Sequence, residues 1–198
     1  MAVFRNSYLI MRHGQSEANV AGLIISDPAI GCERFGLTEQ GRQQVVASAT
    51  EYTGEPLSRI ICSDFLRTRQ TAKLVAEALG LSSLQLESGL RERFFGYWEG
   101  TSDDNYQGIW QQDQFVEKRS ADEVENVQLV RQRGLKVLEK LEQQFQNQVI
   151  LLVSHGDMLQ ILRTAFVGKS ANQHRSLPHH QTAEIKWLVS RGDECPAV

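Results

Sequence analysis

The chain has 198 residues, 41% of them hydrophobic, and carries 21 Lys and Arg against 24 Asp and Glu, a net charge of −3. That length and apolar content suit one globular domain with a sizeable core and a small inserted cap, spanning residues 1–198 with no second independent domain. The scatter of Lys and Arg excludes a basic nucleic-acid face, the lack of a long apolar run excludes a membrane span, and Cys32, Cys62 and Cys195, without a Cys-x-x-Cys pair, argue against a disulfide framework or a zinc site.

Residues 8–11 are an apolar run that stops at Arg12-His13-Gly14, and polar residues suited to opening a helix follow. A strand ending this way carries a permanent cation and an imidazole at its tip, where an open α/β sheet collects ligands. Alone, the tripeptide fits a structural histidine as well as a reactive one. Residues 22–36 are turn-rich, with Asp27-Pro28, Gly31 and Gly36, and read as a loop near that tip. Arg34 within it is either solvated or at the mouth of the site. Thr38 is the expected N-cap of a helix with Val45, Val46, Ala49 and Tyr52 as its buried stripe, ended by Gly54 and Pro56.

A second strand, residues 59–63, stops at Ser63 and runs through Asp64 into a helix with apolar Ala72, Leu74, Val75, Ala78 and Leu79, halted at Gly80. Arg67 in the first turn of that helix is electrostatically unfavourable unless an anion is held between it and the helix end; the alternative is a solvent-facing arginine. Ser63 lacks the Gly-x-Ser-x-Gly elbow of a serine nucleophile and is read as structural or as a phosphate contact. Residues 84–86 form a short third strand. Residues 89–100, dense in charge, aromatic rings and glycine, suit a loop over a pocket. Glu92 there lies between Arg91 and Arg93, which favour its ionised form, while burial by the aromatics favours the neutral one.

Residues 101–120 read as a lid. Tyr106, Trp110 and Phe115 serve as its own small core or as a ligand cage, and Lys118 and Arg119 are solvated or hold a second anionic group of the substrate. Residues 122–145 show helical apolar spacing, with Gly134 a close-packing point. Residues 149–153 are five consecutive apolar residues, as expected for a strand covered on both faces, and end in Ser154-His155-Gly156-Asp157 before an apolar helix. Residues 183–189 are the last strand, and His179-His180 before it read as a solvated loop pair rather than a metal site.

Three strand tips, at Arg12-His13, at Ser63 with Arg67 just beyond, and at His155, would meet at one edge of a parallel sheet. Two arginines, two histidines and a carboxylic acid are what phosphoryl transfer through a protein nucleophile needs without a metal. A neutral imidazole suits attack on an anionic phosphomonoester, provided a backbone carbonyl holds its other nitrogen. Arg12 and Arg67 would fork onto phosphate oxygens, a protonated His155 would add a donor, and Glu92 would protonate the leaving alkoxide.

Arg12-His13-Gly14-Gln15-Ser16-Glu17-Ala18-Asn19 resembles the phosphohistidine motif of the histidine phosphatase superfamily, which includes the cofactor-dependent phosphoglycerate mutases. Ser63 and Arg67 followed by Gln70-Thr71-Ala72 are similar to its second motif, Leu90-Arg91-Glu92 with the run from Phe95 to Gly100 to its acid-bearing motif, and Val153-Ser154-His155-Gly156 to its third; Glu125 and Arg133 resemble a weaker pattern. Phe94 departs from the Asp that phosphatase-like members often carry. By this resemblance His13 is the phosphorylated nucleophile, Arg12, Arg67 and His155 form the phosphate pocket, Glu92 is the acid, and Asn19 and Gly156 contact substrate. Asp157 is the runner-up acid, because another branch places its acid directly after that histidine.

The implied fold is a three-layer α/β/α sandwich with a mostly parallel central sheet and a small inserted lid at about residues 101–121. The implied activity is metal-independent hydrolysis of a small phosphorylated metabolite or a phosphoprotein through a phosphohistidine, with no cofactor and no nucleic-acid or membrane partner. The alternatives are a phosphoglycerate mutase-type transfer and a non-catalytic phospho-ligand binding module. A cytoplasmic location is expected; oligomeric state is not legible.

Overall fold

The computed structural model describes residues 3–115 and 123–196. Its centre is a five-stranded sheet of β1 (Ser7–Arg12), β2 (Arg59–Cys62), β3 (Leu84–Leu86), β4 (Val149–Ser154) and β5 (Ile185–Val189), in the order β3-β2-β4-β1-β5. β1, β2, β3 and β4 run parallel, and β5 closes one edge antiparallel to β1. β4 lies between β1 and β2 with every residue buried, which is why its sequence shows no polar alternation.

Helices are α1 (Glu17–Ala21), α2 (Pro28–Gly31), α3 (Glu39–Glu51), α4 (Leu66–Leu79), α5 (Tyr106–Gln112), α6 (Val127–Gln144) and α7 (Gly156–Thr164). The period of two along each strand sorts the side chains into two cores. Tyr8, Ile10, Ile150 and Leu152 pack with Val130, Leu138 and Leu141 of α6 and Met158, Ile161 and Leu162 of α7. Leu9, Met11, Leu151 and Val153 pack with Val45 and Ala49 of α3 and Ala72 and Val75 of α4. Each fully buried aliphatic side chain stabilises by about 1.5–3 kcal/mol, so both faces of β4 carry the sandwich. A third, smaller cluster joins Ile24, Phe95, Ile109 of α5 and Val124, backed by Trp98 and Tyr106.

Local signals explain most boundaries. Thr38 Oγ1 accepts the Gly41 N–H at 3.0 Å and opens α3, and Gly80 ends α4 in the left-handed conformation that glycine adopts without strain. Gly134 lets α6 approach α7: a Cβ there would lie 2.7 Å from the Met158 methyl. Gly41 is required where α3 meets the loop after β1, because any Cβ would strike the Gln15 carbonyl oxygen. Four expectations are corrected. The turn-rich stretch contains α2, since Asp27 caps and Pro28 pre-sets the first helical turn. Val46 is exposed, and Gly41, Val45 and Ala49 form the buried stripe of α3. The helix expected from residue 122 begins at Val127, because Asn126 caps it by accepting the Gln128 N–H and Val124 belongs to the lid core. The last strand begins at Ile185, because Ala183 takes φ 59° to donate its N–H to Arg12 O.

No helix among the described residues is long and apolar enough to cross a membrane.

Candidate active site

The parallel register brings the tips together. Arg12 pairs with Ser154 and Cys62 with Val153, so His13, His155 and the turn from Ser63 into α4 leave the sheet at one edge. The His13 and His155 rings are 5.3 Å apart between centroids. His13 Nδ1 donates to the Gly14 carbonyl at 2.7 Å, which leaves the lone pair on Nε2, as a nitrogen nucleophile requires. Thr71 Oγ1, on α4, accepts the Gly14 N–H at 3.2 Å and so holds the peptide that joins His13 to Gly14.

Arg67 is 4% exposed, and its Nε–H is shared between His13 Nε2 at 3.1 Å and His155 Nδ1 at 3.2 Å. His155 Nε2 therefore carries the ring proton and donates it to Ser63 Oγ at 2.9 Å. Both imidazoles are held below the ordinary histidine range, first by burial and then by the arginines beside them. His155 is neutral in this arrangement, whereas the sequence reading cast it as a protonated donor.

Arg67 Nη2 donates to Ile25 O at 2.9 Å, while buried Nη1 has no protein partner. Arg12 Nη1 donates to His179 Nε2 at 2.8 Å and to His180 O at 3.2 Å, and its Nε is likewise buried without a partner. Among the described residues no carboxylate pairs with either guanidinium. An unmade buried hydrogen bond costs about 1–3 kcal/mol, so two at one spot mark where an anion would be stabilised. Burial lowers both guanidinium pKa values, that of Arg67 to about 10, and both stay cationic at neutral pH.

Glu92 faces these groups from the loop after β3. Its Oε1 accepts the N–H groups of Arg93 at 2.9 Å and Met158 at 3.1 Å. Burial, and then the charge of Asp157, raise its pKa above the ordinary carboxylate range. The loop is fixed from behind by Arg133, which donates to the carbonyls of Gly89, Arg91 and Glu92 and is gripped by the Glu125 carboxylate at 2.9 and 3.0 Å. Glu125 also accepts the Phe94 N–H. Replacing Arg133 with Met is expected to lower kcat about 10–100-fold with little change in KM, because a carboxyl displaced by about an ångström is badly aimed while phosphate binding survives. Steady-state kinetics on the folded variant check this, and an unchanged kcat contradicts it.

A cavity of about 200 Å³ is lined by Arg12, His13, Arg67, Glu92, Asn19 and Gly156, among others. Asn19 Oδ1 is committed to the Ser16 N–H and Oγ, which caps α1. Gly156 opens α7, and the Arg12 guanidinium packs 3.5 Å from the position a Cβ would take. Asp157 also lines the cavity, with Oδ2 held by Trp110 Nε1 at 2.9 Å and Arg93 3.5 Å away. Tyr106 stacks on Trp110 and meets Phe95 edge-on, and both Tyr106 and Trp110 reach the cavity wall. They are lid core and lining at once, while Phe115 is exposed. Arg34 is exposed over the Phe35 ring and is not among the lining residues. Lys118 and Arg119 lie outside the described residues.

The reading of His179-His180 as a solvated pair is corrected for His180, while His179 is exposed as read. His180 is buried, with Nε2 donating to Glu184 O at 2.8 Å and a pKa pushed by burial down to about 4. His179 lines the cavity and orients Arg12. A second unforeseen group is Arg93, fully buried with both Nη atoms on Asp113 at 2.7 Å, while His174 contacts the same carboxylate at 3.1 Å. This closed set ties the end of the lid helix to the acid-bearing loop. No group of three or more His, Cys, Asp or Glu side chains among the described residues is arranged as metal ligands.

Residues 8–198 match the model of the histidine phosphatase superfamily, branch 1. The chain belongs to that family. It has the enzymatic fold shared by histidine phosphatases and phosphoglycerate mutases. It is 39% identical over 90 residues to the adenosylcobalamin/alpha-ribazole phosphatase of Salmonella typhimurium, covering 46% of this chain and 42% of that one, so it spans less than half of that relative. With the probable phosphoglycerate mutase GpmB of Erwinia tasmaniensis it shares 30% identity over 176 residues, 85% of this chain and 78% of that one. The solved structure of Bacillus stearothermophilus YhfR superposes with a TM-score of 0.77 at 22% identity, covering 94% and 96% of the two chains, a likeness of fold.

Proposed function

We propose that this histidine phosphatase is a metal-independent phosphomonoester hydrolase acting through a phosphohistidine on His13. The observation that carries the reading is the His13 Nε2 lone pair, presented beside buried Arg67 and half-buried Arg12, each with one buried nitrogen that has no partner and neither paired with a carboxylate among the described residues. Arg12 and Arg67 hold the phosphate oxygens. Nε2 attacks phosphorus as the ester P–O bond breaks, and Glu92, whose protonated form burial and the charge of Asp157 favour, gives its proton to the departing alkoxide. His155 gains acceptor partners once a phosphate dianion lies beside it, which favours its protonated, donating form. The Glu92 carboxylate then takes a proton from water, the oxygen attacks phosphorus, the N–P bond breaks, and phosphate leaves with His13 restored.

The substrate class we infer is a small phosphorylated metabolite. A cavity of about 200 Å³ suits a phosphate with a modest alcohol, and the phosphatase and the mutase named above act, by their names, on metabolites rather than on proteins. The likeness to GpmB favours a second reading, transfer between positions of a phosphoglycerate. The two separate on a panel of phosphomonoesters with 3-phosphoglycerate and its bisphosphate primer, assayed with chelator present. Phosphate release that withstands the chelator supports the hydrolase; isomer interconversion without release supports the mutase. Hydrolysis abolished by chelator and restored by a divalent metal contradicts the mechanism.

A further inference from the structure

Beyond the two arginines the charge of the cavity changes sign. Asp103, from the turn Asp103–Asn105 that precedes α5, lines the wall, and its exposed carboxylate has no ion pair or hydrogen bond among the described residues. Asp157 lines it too, buried under Trp110. Apart from Ser16, Asn19 and His179, whose Nε2 is taken by Arg12, the remaining wall is apolar or aromatic, and no third arginine or lysine lines it among the described residues. Arg175 stacks on Trp110 at 3.6 Å but is outside the lining. That the cavity takes a ligand is supported independently by the buried, unpartnered Nη1 of Arg67 at its base.

We propose that Asp103, with Asp157 behind it, makes the outer half of the cavity select phosphomonoesters whose alcohol is an uncharged or cationic ring-bearing group and reject alcohols that carry a carboxylate or a second phosphate. The proposal deepens the hydrolase reading and rests on it. With the phosphate dianion on Arg12 and Arg67, a further anion on the leaving group meets Asp103 and Asp157 and, among the described lining residues, no further arginine or lysine. Like charges set against each other in a partly desolvated cleft discriminate strongly, whereas an ammonium or N–H donor finds an unpaired acceptor in Asp103. This selectivity runs against phosphoglycerates, whose carboxylate would lie near Asp103.

The test uses three aryl phosphates of matched shape: phenyl phosphate and its para-carboxyl and para-aminomethyl derivatives. In the wild-type protein kcat/KM is expected to fall from the aminomethyl to the phenyl to the carboxyl ester, with at least about a tenfold spread between the extremes. In Asp103→Asn that ratio is expected to shrink several-fold, and because it is taken within each protein, any general loss of activity or folded fraction cancels. A carboxyl ester used as well as phenyl phosphate, or a ratio unmoved by Asp103→Asn, overturns the selectivity while leaving hydrolysis in place. No phosphate release from any of the three, by protein shown to be folded, overturns the hydrolase reading and this proposal with it.

Discussion

His13→Ala is expected to lower kcat/KM for any phosphomonoester by about 10⁴-fold or more, because it removes the atom to which phosphorus is transferred and leaves only the anion pit. The loss should fall on kcat. Arg12 and Arg67 keep their other anchors, His179, the His180 carbonyl and the Ile25 carbonyl, so phosphate still binds. The Arg67 Nε–H keeps His155 Nδ1 as an acceptor, which limits collapse of the site. Inorganic phosphate binding measured alongside turnover separates the two effects. Turnover within tenfold of wild type would mean that another group attacks phosphorus.

Glu92→Gln is expected to cost about 10²–10⁴-fold in kcat/KM for alkyl phosphates, the usual yield of a general acid, and much less in kcat/KM for a nitrophenyl ester whose leaving group needs no proton, although kcat for that ester still falls because water attack on the phosphohistidine has lost its base. The pH profile gives the sign. Burial and Asp157 raise the Glu92 pKa, so the protonated acid persists above the ordinary carboxylate range, and kcat/KM falls as pH rises through the raised value. His13 is shifted the opposite way, so the neutral nucleophile persists at pH values where an ordinary histidine is charged, and activity falls on the acid side only below the usual histidine range. The variant should lose the alkaline fall attributable to Glu92 while keeping the acid one; the substrate's own ionisation is common to both proteins. An unchanged alkaline limb in the variant would transfer the acid role away from Glu92, with Asp157 the next candidate.

The chemistry was legible where it is local in the chain. Each of Arg12-His13, Ser63 to Arg67 and His155 follows an apolar run, and parallel strands put such tips on one edge, so the inventory and its convergence could be read together. The need for a carbonyl on the far nitrogen of His13 followed from the chemistry, and Gly14 O supplies it. What escaped is non-local. His179 reaches Arg12 because β5 returns antiparallel beside β1, a pairing that leaves no spacing pattern. The Arg93, Asp113 and His174 set joins three separate segments, each of which reads alone as solvated charge. The late start of α6 is likewise non-local: Val124, before the Asn126 cap, packs with Ile24, Phe95 and Ile109 instead of extending the helix.

Acid-quench trapping of the phosphoenzyme tests the central claim most directly. The protein is mixed with excess phosphomonoester, denatured within a turnover and mapped by mass spectrometry under conditions that spare the acid-labile N–P bond. A single phosphoryl group on the peptide that contains His13, absent from His13→Ala and accumulating in Glu92→Gln with a nitrophenyl ester, is the expected result. Phosphate on another residue, or rapid turnover with no phosphoenzyme at any time point, would contradict the account.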